Sequence, residues 1–300
     1  MKIVVTGSLG HISLPLTKEL VQKGHAVKVI SSKAEREKEI KAIGAKAAIG
    51  SMGDVDFLTE TFKEADVVYA MEAVGAHNFF DPNLDFIEAM KKIAQNYKQA
   101  IEQSGIKQVI HLSSIGAHMS KGNGILASHF HVENILNQLP NDVAIKFMRP
   151  VGFYYNMFAF IPTIKAQGAI VSNYGGDERE PWVSPLDIAA AIAEEMEKPF
   201  ERREIRYIAS EELSPNEVAA ILGEAIGTPD LKWLVISDEQ LLQNLTAAGM
   251  NPQTAKGFVE MNASRRGGVL YEDYEHNRPT LGKVKLTEFA KEFAATFHQQ

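Results

Sequence analysis

The chain has 300 residues, of which 45% are hydrophobic and 23% are charged, and its formal net charge is −7. A chain of this length can bury a sizeable core, in one large domain or two ordinary ones. The moderate acidity and the absence of a basic cluster argue against a nucleic-acid-binding surface. Because the sequence contains no cysteine, disulfides, thiolate catalysis and zinc–thiolate sites are excluded.

The apolar segments of the sequence are too short for a membrane protein. The longest, 143–148 and 151–162, are too short or too interrupted to span a bilayer. Met1 leads directly into the first apolar stretch, which leaves no room for a signal peptide. We therefore expect a cytoplasmic protein without a membrane partner.

The first residues predict a strand, a glycine turn and a helix. Residues 3–6 are β-branched and lead into Gly7 and Gly10, and leucines at helical spacing follow. In such a turn, backbone N–H groups at a helix N-terminus can face a dinucleotide pyrophosphate. The spacing G-x-x-G-x-x-S departs from the G-x-G-x-x-G fingerprint, and glycine turns also close ordinary βα units. The predicted cofactor contacts in this turn are Gly7, Ser8, Leu9, Gly10, His11 and Ile12.

The first half of the chain alternates strand and helix patterns with short joints. Strands are predicted at 3–6, 25–30, 45–49, 66–70, 107–113 and 143–150, and helices at 34–43, 55–63 and 82–104. Repeated βα units imply a parallel sheet with right-handed crossovers and helices on both faces. The fold class is therefore α/β, a Rossmann-type doubly wound parallel sheet with a smaller, mainly helical C-terminal lobe.

The second half is less regular and predicts that smaller lobe. Strands are expected at 169–172, 206–209 and around 233–235, and helices at 161–168, 187–198, 215–226, 238–248, 252–261 and 287–297. We expect residues 1–155 to form an NAD(P)-binding domain to which 180–210 return. Residues 156–179 and 211–300 would form a substrate-side lobe, with the substrate between the two.

The end of the second predicted strand favours NADP over NAD. NAD-binding proteins place a carboxylate there for the ribose hydroxyls, whereas basic residues accept the extra phosphate of NADP. Here Ser31, Ser32 and Lys33 stand at the tip and Arg36 follows. The alternative is that Lys33 and Arg36 only begin the next helix on a solvated face.

Four motifs carry a family resemblance. They are T-G-x-x-G at 6–10, V-x-x-L-S-S at 109–114, H-x-x-x-E-x-x-L at 129–136 and M-R-P-V-G-F-Y-Y-N-M at 148–157. With them the chain resembles the NmrA-like branch of the atypical short-chain dehydrogenases/reductases, over roughly its first three-quarters. The resemblance implies cofactor contacts beyond the glycine turn. These are Ala70, Met71 and Glu72 beside adenine and ribose, Ser113 and Ser114 on the cofactor side, and Pro150 and Val151 against the nicotinamide.

The chain departs from the catalytic members of that superfamily at one place. They carry Tyr-x-x-x-Lys, in which lysine lowers the pKa of a proton-donating tyrosine. Ile125 and His129 stand at the tyrosine and lysine positions here. A histidine at this place resembles the quinone reductases of the same branch, so His129 is our candidate catalytic residue, beside the nicotinamide ribose. The alternative is an ordinary hydrogen-bonded helix residue.

An aromatic cluster follows the sixth strand and suggests an aromatic small-molecule substrate. Its members are Phe153, Tyr154, Tyr155 and Phe158, which either stack on a flat substrate or pack where two lobes meet. A segment at 72–80 is expected to form a mobile flap. The predicted substrate contacts are Phe79, Phe153, Tyr154 and Asn156.

Two functions of different class remain from the sequence. The first is an NADPH-dependent oxidoreductase acting on a quinone or another conjugated carbonyl. The second is a non-catalytic NADP(H) sensor that answers to a protein partner, since a missing tyrosine and lysine also fit a pseudoenzyme. Reduction or isomerisation of phenylpropanoids is a third, but its relatives carry a lysine that this chain lacks. No metal site is predicted, because the histidines lack ligand spacing.

Overall fold

The computed structural model describes residues 1–299, apart from the side chains of residues 76 and 77. Twelve strands are formed by these residues: β1 Lys2–Val5, β2 Ala26–Ser31, β3 Lys46–Ile49, β4 Val67–Ala70, β5 Gln108–Leu112, β6 Ala144–Pro150, β7 Gly152–Phe153, β8 Ala169–Ser172, β9 Glu180–Val183, β10 Arg203–Ile208, β11 Glu211–Leu213 and β12 Lys232–Val235.

Twelve α-helices join these strands within residues 1–299: α1 Ser13–Gln22, α2 Glu37–Ala42, α3 Val55–Phe62, α4 Phe86–Ser104, α5 Ala127–Leu136, α6 Ile161–Gln167, α7 Pro185–Glu197, α8 Pro215–Ala225, α9 Asp238–Ala247, α10 Pro252–Ala263, α11 Glu272–His276 and α12 Leu286–Gln299. Short 3₁₀ turns are formed at Ala34–Arg36, Ala76–Phe80, Gly124–Leu126, Tyr154–Phe160 and Val269–Tyr271.

Seven strands form one parallel sheet in the order β10-β6-β5-β4-β1-β2-β3. Strand β1 lies in the middle, with Val5 opposite Val29 of β2 and Tyr69 of β4. The order reverses between β1 and β4, which creates the switch point where ligands bind in open sheets of this class. The predicted doubly wound α/β fold is confirmed.

Two apolar cores lie on the two faces of this sheet. Alternation along β1 sends Ile3 and Val5 to one face and Val4 to the other, as the period of two requires. The first core packs under α1 and α7, and the second under α3, α4 and α5. Because all seven strands are parallel, their carboxyl ends lie at one edge, and the central strands behind that edge are buried in the two cores.

A third core defines the smaller lobe. It joins Tyr154, Met157 and Trp233 to helices α8 and α12, beside a two-stranded sheet of β8 and β12. The strand predicted around 233–235 is therefore present and pairs in parallel with β8. A three-stranded sheet, β11-β9-β7, was not predicted, because its strands have two to four residues and no visible alternation.

Two helix predictions need correction. The helix predicted at 82–104 begins at Phe86, because Asp85 caps it by accepting a hydrogen bond from Glu88 N at 3.0 Å. Asp81 instead holds a turn, accepting from Asn83 N at 2.9 Å. The helix predicted at 34–43 is a 3₁₀ turn followed by α2. In the described part of the chain, no helix is long and apolar enough to cross a membrane.

Candidate functional site

The carboxyl ends of the parallel strands bring the predicted cofactor residues to one edge of the sheet. The glycine loop, residues 7–12, follows β1, and Ser31 ends β2. Ala70 ends β4, Ser113 and Ser114 follow β5, and Pro150 ends β6. Residues far apart in sequence thus come to one edge of the sheet, beside the switch point.

Gly7 holds the tightest position of the glycine loop. Its φ of +82° lies in the left-handed region, which favours glycine. A Cβ built there would stand 2.5 Å from Met71 Sδ and 2.7 Å from Ser13 Oγ. The loop therefore requires glycine at this position both for conformation and for space.

The N-terminus of α1 is prepared for an anion. Its first turn carries no acidic residue, and no side chain caps it. Among the residues that the structure describes, the backbone N–H groups of Leu9, His11 and Ile12 donate to no acceptor. Free N–H groups at the positive end of a helix dipole suit a phosphate. On these observations the loop fits a dinucleotide pyrophosphate.

Ser13 stands at the position of the third glycine of the fingerprint, and its side chain hydrogen-bonds between α1 and the end of β1. Its Oγ donates to Thr6 O at 2.9 Å, and Thr17 Oγ1 donates to Ser13 O at 2.7 Å. Thr6, which the sequence did not mark as a site residue, also accepts from Met71 N at 2.9 Å through its Oγ1. These bonds fix the glycine loop to the end of β4.

Ser31 joins the tip of β2 to the glycine loop. Ser8 Oγ donates to Ser31 Oγ at 2.9 Å, and Ser31 Oγ also accepts from Lys33 N at 3.2 Å. Ser31 is buried, whereas Ser32 and Lys33 are exposed. The tip therefore offers a hydrogen-bonded hydroxyl at its base, Ser31, and an ammonium group in solvent, Lys33.

Glu72 follows β4, at the strand end predicted to lie beside adenine and ribose. It forms a buried pair with His111, which was not predicted as a site residue. His111 of β5 places its Nε2 2.9 Å from Glu72 Oε2 and 3.2 Å from Oε1. Both side chains have 0% exposure. Alternation in β5 signals only that residue 111 faces a core, so the pairing was not predictable.

His129 lies on α5 near this pair and is electrically neutral. Burial lowers its pKa to about 4, and the charges of Glu72 and His111 act on it in opposite directions. Its Nδ1 is buried and has no hydrogen-bond partner in the described residues. A neutral imidazole can donate from one ring nitrogen and accept at the other.

Ser113 belongs to a buried polar network that positions α5. Its Oγ donates to Glu133 Oε1 at 2.5 Å, and Arg149 binds both oxygens of Glu133, at 2.9 and 2.7 Å. Arg149 also donates to Asp273 Oδ2 at 2.8 Å. Burial alone would lower the pKa of Arg149, but Glu133 outweighs it and raises that pKa. The network ties β5, β6 and α11 to the helix that carries His129.

The predicted substrate residues lie in different environments. Phe153 is half-buried against the first core, and Asn156 is exposed. Tyr154 is fully buried; its ring stacks on Phe289 and its OH donates to Glu211 Oε1 at 3.1 Å. Because its side chain is fully buried, Tyr154 is not proposed as a substrate contact. Phe79 packs edge-on against Phe258 at 5.3 Å.

Tyr155, which was not among the predicted substrate contacts, turns outward instead. Its ring centroid lies 3.7 Å from that of His11, at an interplanar angle of 36°. The smaller lobe thus contacts the glycine loop through an aromatic ring. Adjacent residues on a 3₁₀ turn point in different directions, so sequence alone did not separate Tyr154 from Tyr155.

Ile125, at the tyrosine position, lies against α10. A Cβ at Gly257 would stand 2.6 Å from Ile125 Cγ2, and a Cβ at Gly124 would stand within contact of Gly257 O. Close glycine packing therefore holds this turn against α10. Among the described side chains, which exclude those of residues 76, 77 and 300, no group of three acidic or histidine side chains is arranged to hold a metal ion.

The sheet, the glycine loop and the converging strand ends define a protein of the Rossmann-type α/β class. The chain belongs to the NmrA-like family, whose family model matches residues 1–273. The resemblance inferred from the four motifs is confirmed, and the match extends well into the smaller lobe.

Three known proteins are similar to this chain over nearly its whole length, one in sequence and two in structure. An NAD(P)H azoreductase from Xenophilus azovorans is 24% identical over 298 residues, covering 98% of this chain and 99% of the relative. An NADPH-dependent quinone oxidoreductase from Escherichia coli, solved with NADPH, superposes with a TM-score of 0.80 at 17% identity, covering 97% and 99% of the two chains. A triphenylmethane reductase from Citrobacter sp. gives 0.74 at 19% identity, covering 98% and 100%.

Proposed function

We propose that this protein is an NADPH-dependent oxidoreductase that reduces a conjugated aromatic acceptor, such as a quinone or an azo compound. The observation that carries the proposal is the contact between His11 and Tyr155, 3.7 Å between ring centroids. It joins the loop suited to a dinucleotide and an exposed aromatic ring suited to a flat acceptor in one cleft.

The residues that would hold the cofactor are those at the strand ends. Backbone N–H groups of Leu9, His11 and Ile12 would bind the pyrophosphate, and Ser31, Ser32 and Lys33 the 2′-phosphate. Ser114, Pro150 and Val151 would line the nicotinamide side. When bound, NADPH supplies a hydride to the acceptor. The preference for NADPH over NADH and the expected cytoplasmic location stay predictions.

The protein's own contribution to the reaction would be binding and orientation. No tyrosine–lysine pair stands at residues 125 and 129, and neutral His129 can only pass or share a proton. Hydride addition to a quinone leaves a phenolate oxygen, which is far less basic than the alkoxide formed from a simple ketone, so no strong proton donor is required. Holding donor and acceptor face to face therefore supplies most of the rate enhancement.

The relatives support this class of reaction. Their names record azoreductase, quinone oxidoreductase and triphenylmethane reductase activities, each on a conjugated aromatic or quinoid compound. Two of the solved relatives were obtained with NADPH or NADP(H). A small-molecule acceptor in this chemical class is thus the best-supported substrate.

One observation favours the second function, a non-catalytic NADP(H) sensor. Ile125 places an apolar side chain against Gly257, so the tyrosine position serves packing between α10 and the turn before α5. If the protein is a sensor, cofactor binding would alter this contact and so change the affinity for a protein partner. No substrate would be turned over.

Cofactor titration followed by an acceptor panel tests the two functions. NADPH and NADH are titrated calorimetrically, and NADPH absorbance is then followed with quinones and azo dyes. The reductase predicts tight NADPH binding and acceptor-dependent oxidation that falls in both His129→Ala and Phe153→Ala. Tight binding without oxidation by any acceptor would favour the sensor, and binding of neither cofactor would contradict both.

A further inference from the structure

The segment at residues 73–85 connects the carboxyl end of β4 to α4, and none of its described side chains is buried. Because the sheet order reverses between β1 and β4, the loops after these two strands flank the crevice in which ligands bind in open sheets of this class. The glycine loop is one of the two, and the segment at 73–85 is the other. A segment without buried side chains depends on neighbouring elements for its position.

The two residues that lead into this segment are fixed by the sheet and by α4. Met71 N donates to Thr6 Oγ1 at 2.9 Å, and the OH of Tyr97 donates to Met71 O at 2.8 Å. Glu72 pairs with His111 of β5 at 2.9 Å. The strand end predicted to lie beside adenine and ribose therefore keeps its position independently of what holds the rest of the segment.

The later part of the segment is held by Asn251, the residue immediately before α10. Its backbone N–H donates to Phe79 O at 2.8 Å. Its side-chain Nδ2 donates to Asp81 O at 2.8 Å and to Leu84 O at 3.3 Å. Asn251 is itself buried, so these hydrogen bonds are shielded from water. One residue, 166 positions or more away in sequence, thus donates three hydrogen bonds to the backbone of this segment.

Two separate tasks explain why this residue is an asparagine. Asn251 Oδ1 accepts from Gln253 N at 2.8 Å and from Thr254 N at 3.2 Å, which caps α10. Aspartate, serine or threonine could cap the helix as well, because a cap requires only an acceptor. The amide also supplies two donors, and both are used on the segment after β4. Capping therefore accounts for Oδ1, and the tether to that segment accounts for Nδ2.

The tethered segment contacts α10 through an aromatic ring as well. Phe79 packs edge-on against Phe86 at 5.6 Å and against Phe258 of α10 at 5.3 Å. The preceding residue of α10, Gly257, lies against Ile125, in the turn that leads into α5. Helix α10 therefore touches two elements of the candidate site, and Asn251 fixes one of them to it.

We propose that Asn251 is a positioning residue for the acceptor. The proposal rests on the proposed function. By holding residues 79–84 against α10, the Asn251 amide sets the position of Phe79 on the side of the crevice opposite the glycine loop. Residues 71 and 72 have their own bonds to the sheet and to α4. Loss of the amide should therefore weaken acceptor binding and leave NADPH binding nearly unchanged.

The test compares Asn251→Ser with a matched control, Asn173→Ser. Serine keeps an acceptor that can cap α10 but lacks the two amide donors. Asn173 is also buried, and its Nδ2 donates to Asp238 Oδ1 at 2.8 Å and to Val259 O, in the second half of α10, at 3.0 Å. Asn173→Ser therefore removes an equivalent pair of donors without touching residues 79–84.

Each protein is measured for amide hydrogen exchange over residues 78–85, for the Kd of NADPH, and for kcat and the KM of a quinone acceptor. The exchange measurement gives a readout without turnover. Should Asn251→Ser fail to fold, Asn251→Asp replaces it, because aspartate caps a helix equally well and also lacks the two donors.

We expect exchange over residues 78–85 to quicken on the order of tenfold in Asn251→Ser, because two hydrogen bonds that hold this segment are lost. The acceptor KM should rise on the order of fivefold, with kcat and the NADPH Kd within about twofold of the wild-type values, as expected when only acceptor binding is weakened. Asn173→Ser should change none of these quantities.

The outcomes separate this proposal from the proposed function. If the wild-type protein oxidises NADPH and the acceptor KM of Asn251→Ser is unchanged, the segment does not shape the acceptor site, and only the role of Asn251 is overturned. Unchanged exchange over residues 78–85, or an equal rise in KM for Asn173→Ser, overturns that role too. Wild-type protein that oxidises no NADPH with any acceptor overturns the proposed function and the role of Asn251 with it.

Discussion

The rings of His11 and Tyr155 lie 3.7 Å apart, which places the glycine loop in contact with the smaller lobe. Tyr155 also meets Phe158 edge-on at 5.2 Å, and Phe158 stacks on Phe293 of α12 at 5.8 Å and 11°. A continuous series of aromatic contacts therefore runs from His11 in the glycine loop to Phe293 in the third core. The position of the exposed ring is fixed by that core, while its outer face stays accessible.

Tyr155→Ala should weaken acceptor binding more than cofactor binding. Loss of one aromatic contact costs about 1 kcal/mol, so KM for an aromatic acceptor should rise several-fold, with kcat changed less. Tyr155→Phe keeps the ring and serves as the control. Steady-state kinetics with a quinone would decide the question. An equal rise in KM for both variants would show that the hydroxyl, not the ring, matters.

Gly7→Ala should weaken cofactor binding strongly, whereas its control, Gly24→Ala, should not. Gly24 has a φ of +84° and nothing within 4 Å of a built Cβ, so Gly24→Ala isolates the backbone strain. Both substitutions should lower the free energy of unfolding by about 1–2 kcal/mol through that strain. Gly7→Ala must also displace Ser13 Oγ from Thr6 O.

Calorimetric titration with NADPH separates these two variants. We expect more than a tenfold rise in Kd for Gly7→Ala and less than a twofold change for Gly24→Ala. Equal affinities in both variants would contradict the assignment of residues 7–12 to the pyrophosphate.

Lys33→Glu should shift cofactor preference towards NADH. A carboxylate at the strand tip repels the 2′-phosphate of NADPH and accepts hydrogen bonds from the ribose hydroxyls of NADH. The ratio of the two dissociation constants should move on the order of tenfold at low salt, since the side chain is exposed. Lys38→Glu makes the same charge change at an exposed position on α2. A similar shift in both variants would mean that only net charge acts.

Glu195 should make stability depend on pH in acid. Burial raises the pKa of Glu195, but hydrogen bonds from Lys146, Lys198 and Arg206 outweigh this and lower it to about 2, from an ordinary value of 4.5. Because the folded-state pKa is lower than the unfolded one, the pair stabilises the fold above about pH 4.5. That stabilisation, on the order of 2 kcal/mol, is lost as the pH falls towards 2.

Urea unfolding from pH 6 to 2.5 measures this loss. Glu195→Gln should be less stable at neutral pH, since the buried Lys146 loses the carboxylate at 2.9 Å and keeps Glu204 at 3.7 Å. Its stability should fall less steeply in acid. Glu102→Gln, a substitution on the surface of α4, is the control and should keep the wild-type slope. Parallel slopes for all three proteins would contradict the assigned role of Glu195.

Several parts of the site could be read from the sequence because they depend on local rules. The glycine turn is visible because β-branched residues, Gly7 and a helical pattern follow one another within a dozen positions. The serine–lysine tip after β2 and the replacement of tyrosine and lysine by Ile125 and His129 are visible as single positions in a motif. A parallel sheet with helices on both faces follows because repeated βα units cross over with one handedness.

Other parts depend on how distant segments pack. Glu72 and His111 are 39 residues apart, and they meet only because β4 and β5 are neighbours in a particular register. Glu133 and Arg149 meet only because α5 packs over β6. Neither pairing has a spacing rule that sequence patterns could show.

By itself, the sequence determined the doubly wound sheet, the glycine loop and the edge at which a ligand is expected, because period, turn chemistry and chain handedness are local properties. Only the tertiary structure decided which polar side chains pair with each other and which of two adjacent tyrosines is exposed. Tyr154 is drawn into the third core by Phe289 and Glu211, and Tyr155 is left beside His11. Such choices depend on the packing of several elements at once, which no single stretch of sequence encodes.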